Sequence, residues 1–447
     1  MARFRLADLI DDRPEDGVFQ ISRRMYTDPD LFEVEIKEIF ERGWVFLGLS
    51  SQAPKSNDFF TTSIGRVPVF VSRDASGELR AFINACPHKG ARITRRLAGN
   101  AKLHVCPYHG WTFDSAGENT NVRWDRSGGY TDAFRCTDHN LVPIARFGEY
   151  KGFLFGCLTP GAPSLEEYLG EARKALDLVA DQSPEGLEVV PGRVRFTYAA
   201  NWKMQLENCS DQYHFASTHL SLIRVLEMRA RDKARGTVES AISNASYWKA
   251  GGEDVTGGSF SFEHGHVLTW GKMTPNPSLP LFERAEELAG LYGPLKRDWM
   301  FNMRNLTLFP NLQIAENASL QMRVIRPLAH NLTEMQTWCL APWGESDAAR
   351  MLRIRQYEDF FNPTGMATPD DNSLYEECEI GLAAQGGPWL QGLARGHALT
   401  IKGGNSYSDA IHMTPVSSVT GPAQLADETL LQNYYRAWAE RMSAVLS

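Results

Sequence analysis

Apolar positions change period along the chain, and the changes mark out its elements. Asp28-Pro29 has the form of a cap followed by proline at the first helical position, and Leu31, Phe32, Ile36, Ile39 and Phe40 then recur at helical spacing up to a stop at Gly43. Beyond Trp44 the apolar runs shorten to strand length. Val67 to Arg73 and Leu79 to Asn84, parted by Asp74-Ala75-Ser76-Gly77, predict a β-hairpin, and the β-rich texture continues to about Thr159. Pro160-Gly161-Ala162-Pro163 reads as a linker, after which Ser164 and Glu167 have the spacing of a capping box for a helix through about Val179. Further on, Arg193 to Tyr198 and Leu320 to Arg326 read as strands, and Leu431, Tyr434, Trp438 and Met442 form one apolar stripe on a terminal helix. Strands and helices do not alternate regularly and no segment repeats, so the expected class is α+β.

The 447 residues exceed what one hydrophobic core usually serves, and two domains are expected. A formal charge of -8 without a long Lys/Arg run excludes a nucleic-acid footprint, which needs a clustered basic surface. No run of about 18 apolar residues occurs, and Met1 to Asp16 mixes charges with Leu where a secretory signal would be apolar. No membrane span is expected, and the chain is placed in the cytoplasm. Seven Cys, an odd number spread from Cys86 to Cys378, do not form a disulfide framework; a reducing compartment favours free thiols or metal ligation. In that compartment the Asn-x-Ser/Thr triplets at Asn244, Asn305, Asn317 and Asn331 are chance matches.

Candidate chemistry concentrates first in the β-rich part, where Cys86-Pro87-His88 is followed after seventeen residues by Cys106-Pro107-Tyr108-His109. Two thiolates and two imidazoles suit a structural zinc, but zinc fingers seldom alternate Cys and His within each knuckle. In a Rieske centre the alternation has a purpose: each loop gives a Cys to one iron and a His to the other, and imidazole in place of thiolate raises the reduction potential. Here the sequence resembles the Rieske domain of ring-hydroxylating oxygenases, through Asn84 to Gly90 and Cys106 to Trp111. The resemblance implies a [2Fe-2S] cluster held by Cys86, His88, Cys106 and His109, with Gly90 and Gly110 letting the loops turn tightly.

A second constellation runs from Asn201 to His219 and holds Glu207, Asn208, Asp211, His214 and His219. Iron(II) that must bind oxygen needs a few firm ligands and open positions, which two His and one carboxylate provide as a facial triad. Five residues are about 500° of helical rotation, so a regular helix cannot carry His214 and His219 on one face, and the helix is expected to end or distort between them. The family pattern of Asp, two residues, His, four residues and His assigns His214 and His219 as iron ligands. It gives Asp211 a different role, a carboxylate between His214 and His109 of a neighbouring subunit that orients imidazole and offers a route for electrons. Asn208 corresponds to a family residue near the iron.

The triad's carboxylate is sought at Pro369-Asp370-Asp371-Asn372, ahead of a helix containing Leu374, Tyr375 and Cys378. An Asp there is also an ordinary helix N-cap. Resemblance to the family's paired aspartates, whose second member is the ligand, picks Asp371 and leaves capping or hydrogen bonding to Asp370. Phe360 and Phe361 fit either a substrate pocket or the core.

The resemblance covers nearly the whole chain, including Phe40 to Trp44, Asn305 to Asn311 and the terminal helix. It implies an α+β protein divided into 1–43, a helical segment packed with the catalytic domain; 44–160, a β-rich Rieske domain; and 161–447, a helix-grip catalytic domain on an antiparallel sheet. It further implies a terminal oxygenase, alpha subunit, that uses O2 and NAD(P)H electrons delivered by a ferredoxin or reductase to hydroxylate an aromatic ring. Its assembly would be a trimer of alpha subunits, with or without three beta subunits. Ala367 to Asp371 and the Cys106 to Trp111 run look closer to the benzoate, anthranilate and salicylate group, whose aromatic carboxylates would be dihydroxylated to a cis-diol or catechol-type product. A guanidinium pairs bidentately with a carboxylate, which makes Arg304, Arg224 and Arg323 candidates for its recognition. Two alternatives stay open: a Rieske monooxygenase with the same two sites, and an electron carrier without oxygenase activity.

Overall fold

The structure, a computed structural model, describes residues 4–231, 256–275, 277–384, 387, 389–422 and 425–446; Asn244 lies outside them. The chain divides into two compact units, Ile36–Leu165 on one side and Met1–Glu35 with Glu166–Ser447 on the other.

The smaller unit is built from short antiparallel strands. One sheet orders Leu79–Ile83, Val67–Arg73, Asp58–Ile64 and Ala98–Asn100; a second orders Asn119–Asn121, Thr112–Asp114 and Leu103–Val105; a third orders Arg146–Tyr150, Phe153–Cys157 and Val45–Leu49. The hairpin expected at Asp74 is present, and its turn is tied by its own side chain. Asp74 Oδ1 accepts from Ser76 N at 2.9 Å and Glu78 N at 3.0 Å, and Oδ2 accepts from Arg80 Nε at 2.8 Å. Those bonds outweigh burial and hold the Asp74 carboxyl down to about 2. Gly77 closes the turn at φ +96°, a conformation without steric cost only for glycine. The core of this unit collects Phe59, Phe70, Phe82, Phe113 and Trp111 around two thiols, Cys86 and Cys106.

The larger unit rests on a nine-stranded sheet in the order Leu187–Tyr198, Leu332–Pro342, Leu320–Ala329, Leu312–Glu316, Met303–Leu308, Val267–Gly271, Thr256–Ser261, Ser417–Pro422 and Ile401–Lys402. Each neighbouring pair is antiparallel. Every residue of Met303–Leu308 is buried, the polar Arg304, Asn305 and Thr307 included, so both faces of the sheet centre are covered. The terminal helix Thr429–Met442 buries Leu431, Tyr434, Trp438 and Met442, the stripe that the sequence marks.

That helix is joined to the amino-terminal one through Glu35. Its carboxylate accepts from Trp438 Nε1 at 2.7 Å and Trp202 Nε1 at 3.0 Å and pairs with Lys203 Nζ at 2.5 Å. Both partners of the pair are almost fully buried, so each charge depends on the other and on these hydrogen bonds.

Two elements depart from expectation. The helix predicted through Val179 is broken at Gly170, φ +47°, into Leu165–Leu169 and Ala172–Ala180. The strand expected from Arg193 begins at Leu187, because Pro191 and Gly192 form a bulge in the pairing rather than ending it. At the amino end Asp28 caps as expected, its Oδ1 accepting from Asp30 N at 3.0 Å and Leu31 N at 3.2 Å. The helix Pro29–Glu35 then loosens into a π-helical turn, Ile36–Glu41.

Candidate metal centres

In the smaller unit two loops repeat one backbone device. Cys86 N donates to Ala91 O at 2.8 Å and Gly90 N returns to Cys86 O at 2.8 Å; Cys106 N donates to Trp111 O at 2.7 Å and Gly110 N returns to Cys106 O at 3.0 Å. Gly90 at φ +74° and Gly110 at φ +71° supply the left-handed residue each knuckle needs. The loops hold their thiols inward, with Cys86 and Cys106 buried, and their imidazoles outward, with His88 exposed and His109 half-buried. The two rings lie 4.4 Å apart between centroids, and His88 stacks on Trp111 at 5.0 Å and 6°. Burial raises the Cys86 thiol to about 11, and burial together with His109 and Lys89 lowers His88. Inner sulfur and outer nitrogen donors suit a two-iron cluster whose histidine-bound iron faces the surface.

A single tetrahedral zinc would draw these donors into one tight group. Among the described residues, the His/Cys/Asp/Glu group whose donor atoms lie within 4.8 Å of one another is a different one: His214, His219 and Asp371. None of the seven cysteines is joined in a disulfide.

That second group is assembled from three helical segments. Asn201 caps the helix Trp202–Asn208 by accepting from Lys203 N at 3.1 Å. A turn follows in which Asp211 Oδ1 accepts from Tyr213 N, and one helical turn, Phe215–Thr218, separates the two histidines. His219 leaves helical geometry at φ -99°, ψ 32° before Leu220–Arg231 begins, which is the distortion the spacing requires. Both imidazoles present Nε2 to one carboxylate oxygen: Asp371 Oδ1 lies 3.5 Å from His214 Nε2 and 3.2 Å from His219 Nε2. Both turn Nδ1 to another carboxylate, His214 to Asp211 Oδ2 at 3.1 Å and His219 to Asp370 Oδ2 at 3.4 Å. Such carboxylates fix the tautomer that leaves Nε2 free for a metal. Asn208 Nδ2 sits beside the same donors, 3.2 Å from His214 Nε2 and 3.1 Å from Asp371 Oδ1.

Burial opposes charge on His214, but the Asp211 bond and the Asp371 charge outweigh it and raise the imidazole. Burial likewise opposes ionisation of Asp371, but His219 and the neighbouring positive groups hold it below its ordinary range. An ionised carboxylate and two oriented imidazoles are the donor set of a mononuclear iron with open positions. The helix carrying Asp371, Thr368–Ala383, starts at Thr368 with Ala367 as its N-cap and no side-chain cap bond. The capping role open to Asp370 is therefore not taken. It accepts from Ser221 Oγ at 3.1 Å instead.

The sequence places Glu207, one residue before Asn208, in the constellation without assigning it a role. Its carboxyl is half-buried and accepts from Tyr26 OH at 2.5 Å and from Tyr435 OH; loss of water around it, only partly opposed by those bonds, raises it to about 7. No signal in the chain foretells this, since both tyrosines arrive from its two ends.

The aromatic and arginine candidates separate clearly. Phe360 and Phe361 are buried in a cluster with Phe215, Leu222, Leu226 and Ala367, next to the ligand-bearing helices. Arg224 is exposed on its helix. Arg304 is committed to Glu316 through Nε at 2.9 Å and to Trp299 O. Arg323 is buried, makes no salt bridge among the described residues, and lends its charge to holding Asp371 ionised.

Two family models match the chain: the Rieske [2Fe-2S] domain over residues 43–139, and the ring hydroxylating alpha subunit, catalytic domain, over residues 165–444. The chain is 40% identical over 436 residues to the toluate 1,2-dioxygenase subunit alpha of Pseudomonas putida, covering 97% of this chain and 93% of that one. It is 38% identical over 440 residues to the 2-halobenzoate 1,2-dioxygenase large subunit of Burkholderia cepacia, covering 98% and 92%. Its structure resembles a naphthalene 1,2-dioxygenase with indole in the active site, with TM-score 0.79, 27% identity and coverage of 96% and 93%.

Proposed function

The chain belongs to the Rieske ring-hydroxylating dioxygenase alpha subunits, and from that premise we propose that it adds both atoms of O2 to neighbouring carbons of a carboxylate-bearing aromatic ring, giving a cis-diol. The observation that carries the reading is the convergence of His214, His219 and Asp371, with each histidine backed by its own carboxylate. The benzene carboxylates in the names of the toluate and halobenzoate enzymes support the substrate class.

When bound, the [2Fe-2S] cluster supplies single electrons and the mononuclear iron supplies the chemistry of oxygen activation. Cys86 and Cys106 would hold the inner iron of the cluster, His88 and His109 the outer one. His214, His219 and Asp371 would hold the mononuclear iron, with Asp211 orienting His214 and Asn208 beside it. Asp211 would also face His109 of a neighbouring alpha subunit. Phe215, Phe360 and Phe361 exclude water from the ring's side of the site. Residues 44–160 would serve electron entry, and 1–43 with 161–447 oxygen chemistry. Electrons from NAD(P)H would arrive through a ferredoxin or reductase. The subunit names of the relatives support a beta-subunit partner in a trimeric assembly. No described helix is long and apolar enough to cross a membrane, and we place the enzyme in the cytoplasm.

The test is turnover of benzoate under labelled O2 by anaerobically purified, iron-loaded protein. A diol carrying two labelled atoms is the expected product. One labelled atom would make this a monooxygenase, and cluster reduction without oxygen uptake would make it an electron carrier.

A further inference from the structure

The four buried arginines of the described chain are Arg284, Arg304, Arg323 and Arg353. Three have carboxylate partners: Arg284 has Glu287, Arg304 has Glu316 and Arg353 has Glu345. Arg323 has none. A permanently charged guanidinium that is largely buried and makes no ion pair of its own is a receptive place for an anion.

The surroundings say where that anion comes from. Arg323 Nε donates to Gln321 Oε1. Gln321 Nε2 is held by Asn362 Oδ1 at 3.4 Å, which also accepts from Thr337 Oγ1 at 2.7 Å. The guanidinium lies over the Phe361 ring at 5.3 Å. Thus Nε and one face are occupied and fixed, while the two Nη groups make no hydrogen bond and are not sealed from solvent-sized space. The free edge is the one that binds a carboxylate by two parallel bonds.

Its position is equally specific. Arg323 stands opposite Gln313 in the sheet, so the two side chains leave the same face. Gln313 Nε2 reaches Gln205 O at 3.1 Å and Leu206 O at 3.0 Å, on the helix that ends in Asn208. Phe361 belongs to the apolar cluster with Phe215, which lies between the two histidines, and with Ala367, the N-cap of the Asp371 helix.

We propose that Arg323 is the specificity-determining residue of this enzyme, its Nη edge receiving the carboxylate of the aromatic substrate while the ring lies in the apolar cluster beside His214 and His219. The assignment rests on the substrate class proposed above and adds the group that selects it. Gln321 and Asn362 are positioning residues, which hold the fork rigid before substrate arrives.

The experiment is calorimetric titration of iron-loaded holoenzyme with benzoate and with its neutral isostere benzamide, for the unaltered protein and for Arg323→Met. Benzoate affinity should fall about 100-fold or more, the scale for losing a buried charge-assisted pair, while benzamide affinity stays within about threefold. Retained iron content and cluster spectrum show an intact fold. If Arg323→Met loses its metals, Arg323→Lys carries the same test: the charge without the fork should cost benzoate about tenfold and benzamide nothing. Unchanged benzoate binding, or equal losses for both ligands, would overturn the assignment alone. An unaltered enzyme that hydroxylates neutral rings and ignores benzoate would overturn the substrate class, and the assignment with it.

Discussion

The two candidate centres are held by opposite means. Around Cys86 and Cys106 each loop is closed by its own backbone, through bonds spanning four and five residues, and the ligands follow from the loop. Around His214 and His219 the ligands stand on a distorted helical run, and side chains from elsewhere aim them: Asp211 nearby, and Asp370 and Asp371 from a helix reached only after most of the sheet. A centre built from local loops should tolerate changes elsewhere in the chain. One aimed by distant carboxylates should respond to changes in residues that touch no metal.

The sharpest way to break this comparison is to remove one ligand from each centre. Cys86→Ser should abolish the visible absorption and the reduced-state paramagnetic signal of the cluster. His214→Ala should keep both and reduce turnover to background. Turnover surviving in His214→Ala would refute the site.

A middle-sized effect tests the aiming. Asp211→Asn should leave both metals bound and slow single-turnover reoxidation of the cluster about 10- to 100-fold, the usual cost of disturbing a carboxylate behind a ligand histidine. Reoxidation at the rate of the unaltered protein would show that the imidazole needs no such partner.

The smallest effect is on stability. Glu207 titrates at about 7 in the folded chain against an ordinary 4.5, because burial disfavours its charge. Between those values the folded state binds more protons than the unfolded state, so stability falls as pH rises, by on the order of 3 kcal/mol at full ionisation. Glu207→Gln should flatten the fall in Tm between pH 4.5 and 7; an unaltered slope would place the titrating group elsewhere.

The same division decided what could be read beforehand. The Asp74 hairpin, the Asp28 cap, the Cys/His knuckles and the break between His214 and His219 are all legible, because each is settled by residues a few positions apart. The helix through Val179 failed at Gly170, where the chain turns into the left-handed region. The strand start at Leu187 failed because Pro191-Gly192 resembles a turn until its partner strand shows it to be a bulge. Of the two roles left to Asp370, capping or hydrogen bonding, the second is taken, because the helix begins two residues earlier.

By itself, then, the sequence determined the donor types and the spacing of both centres, since thiol, imidazole and carboxylate chemistry depends on residue identity and short-range geometry. Only the tertiary structure decided which carboxyl is held between two tyrosines and which of three arginines makes no salt bridge. Adjacent residues on a helix differ by about 100° in direction, and burial and charge pairing depend on what the rest of the chain brings to that direction.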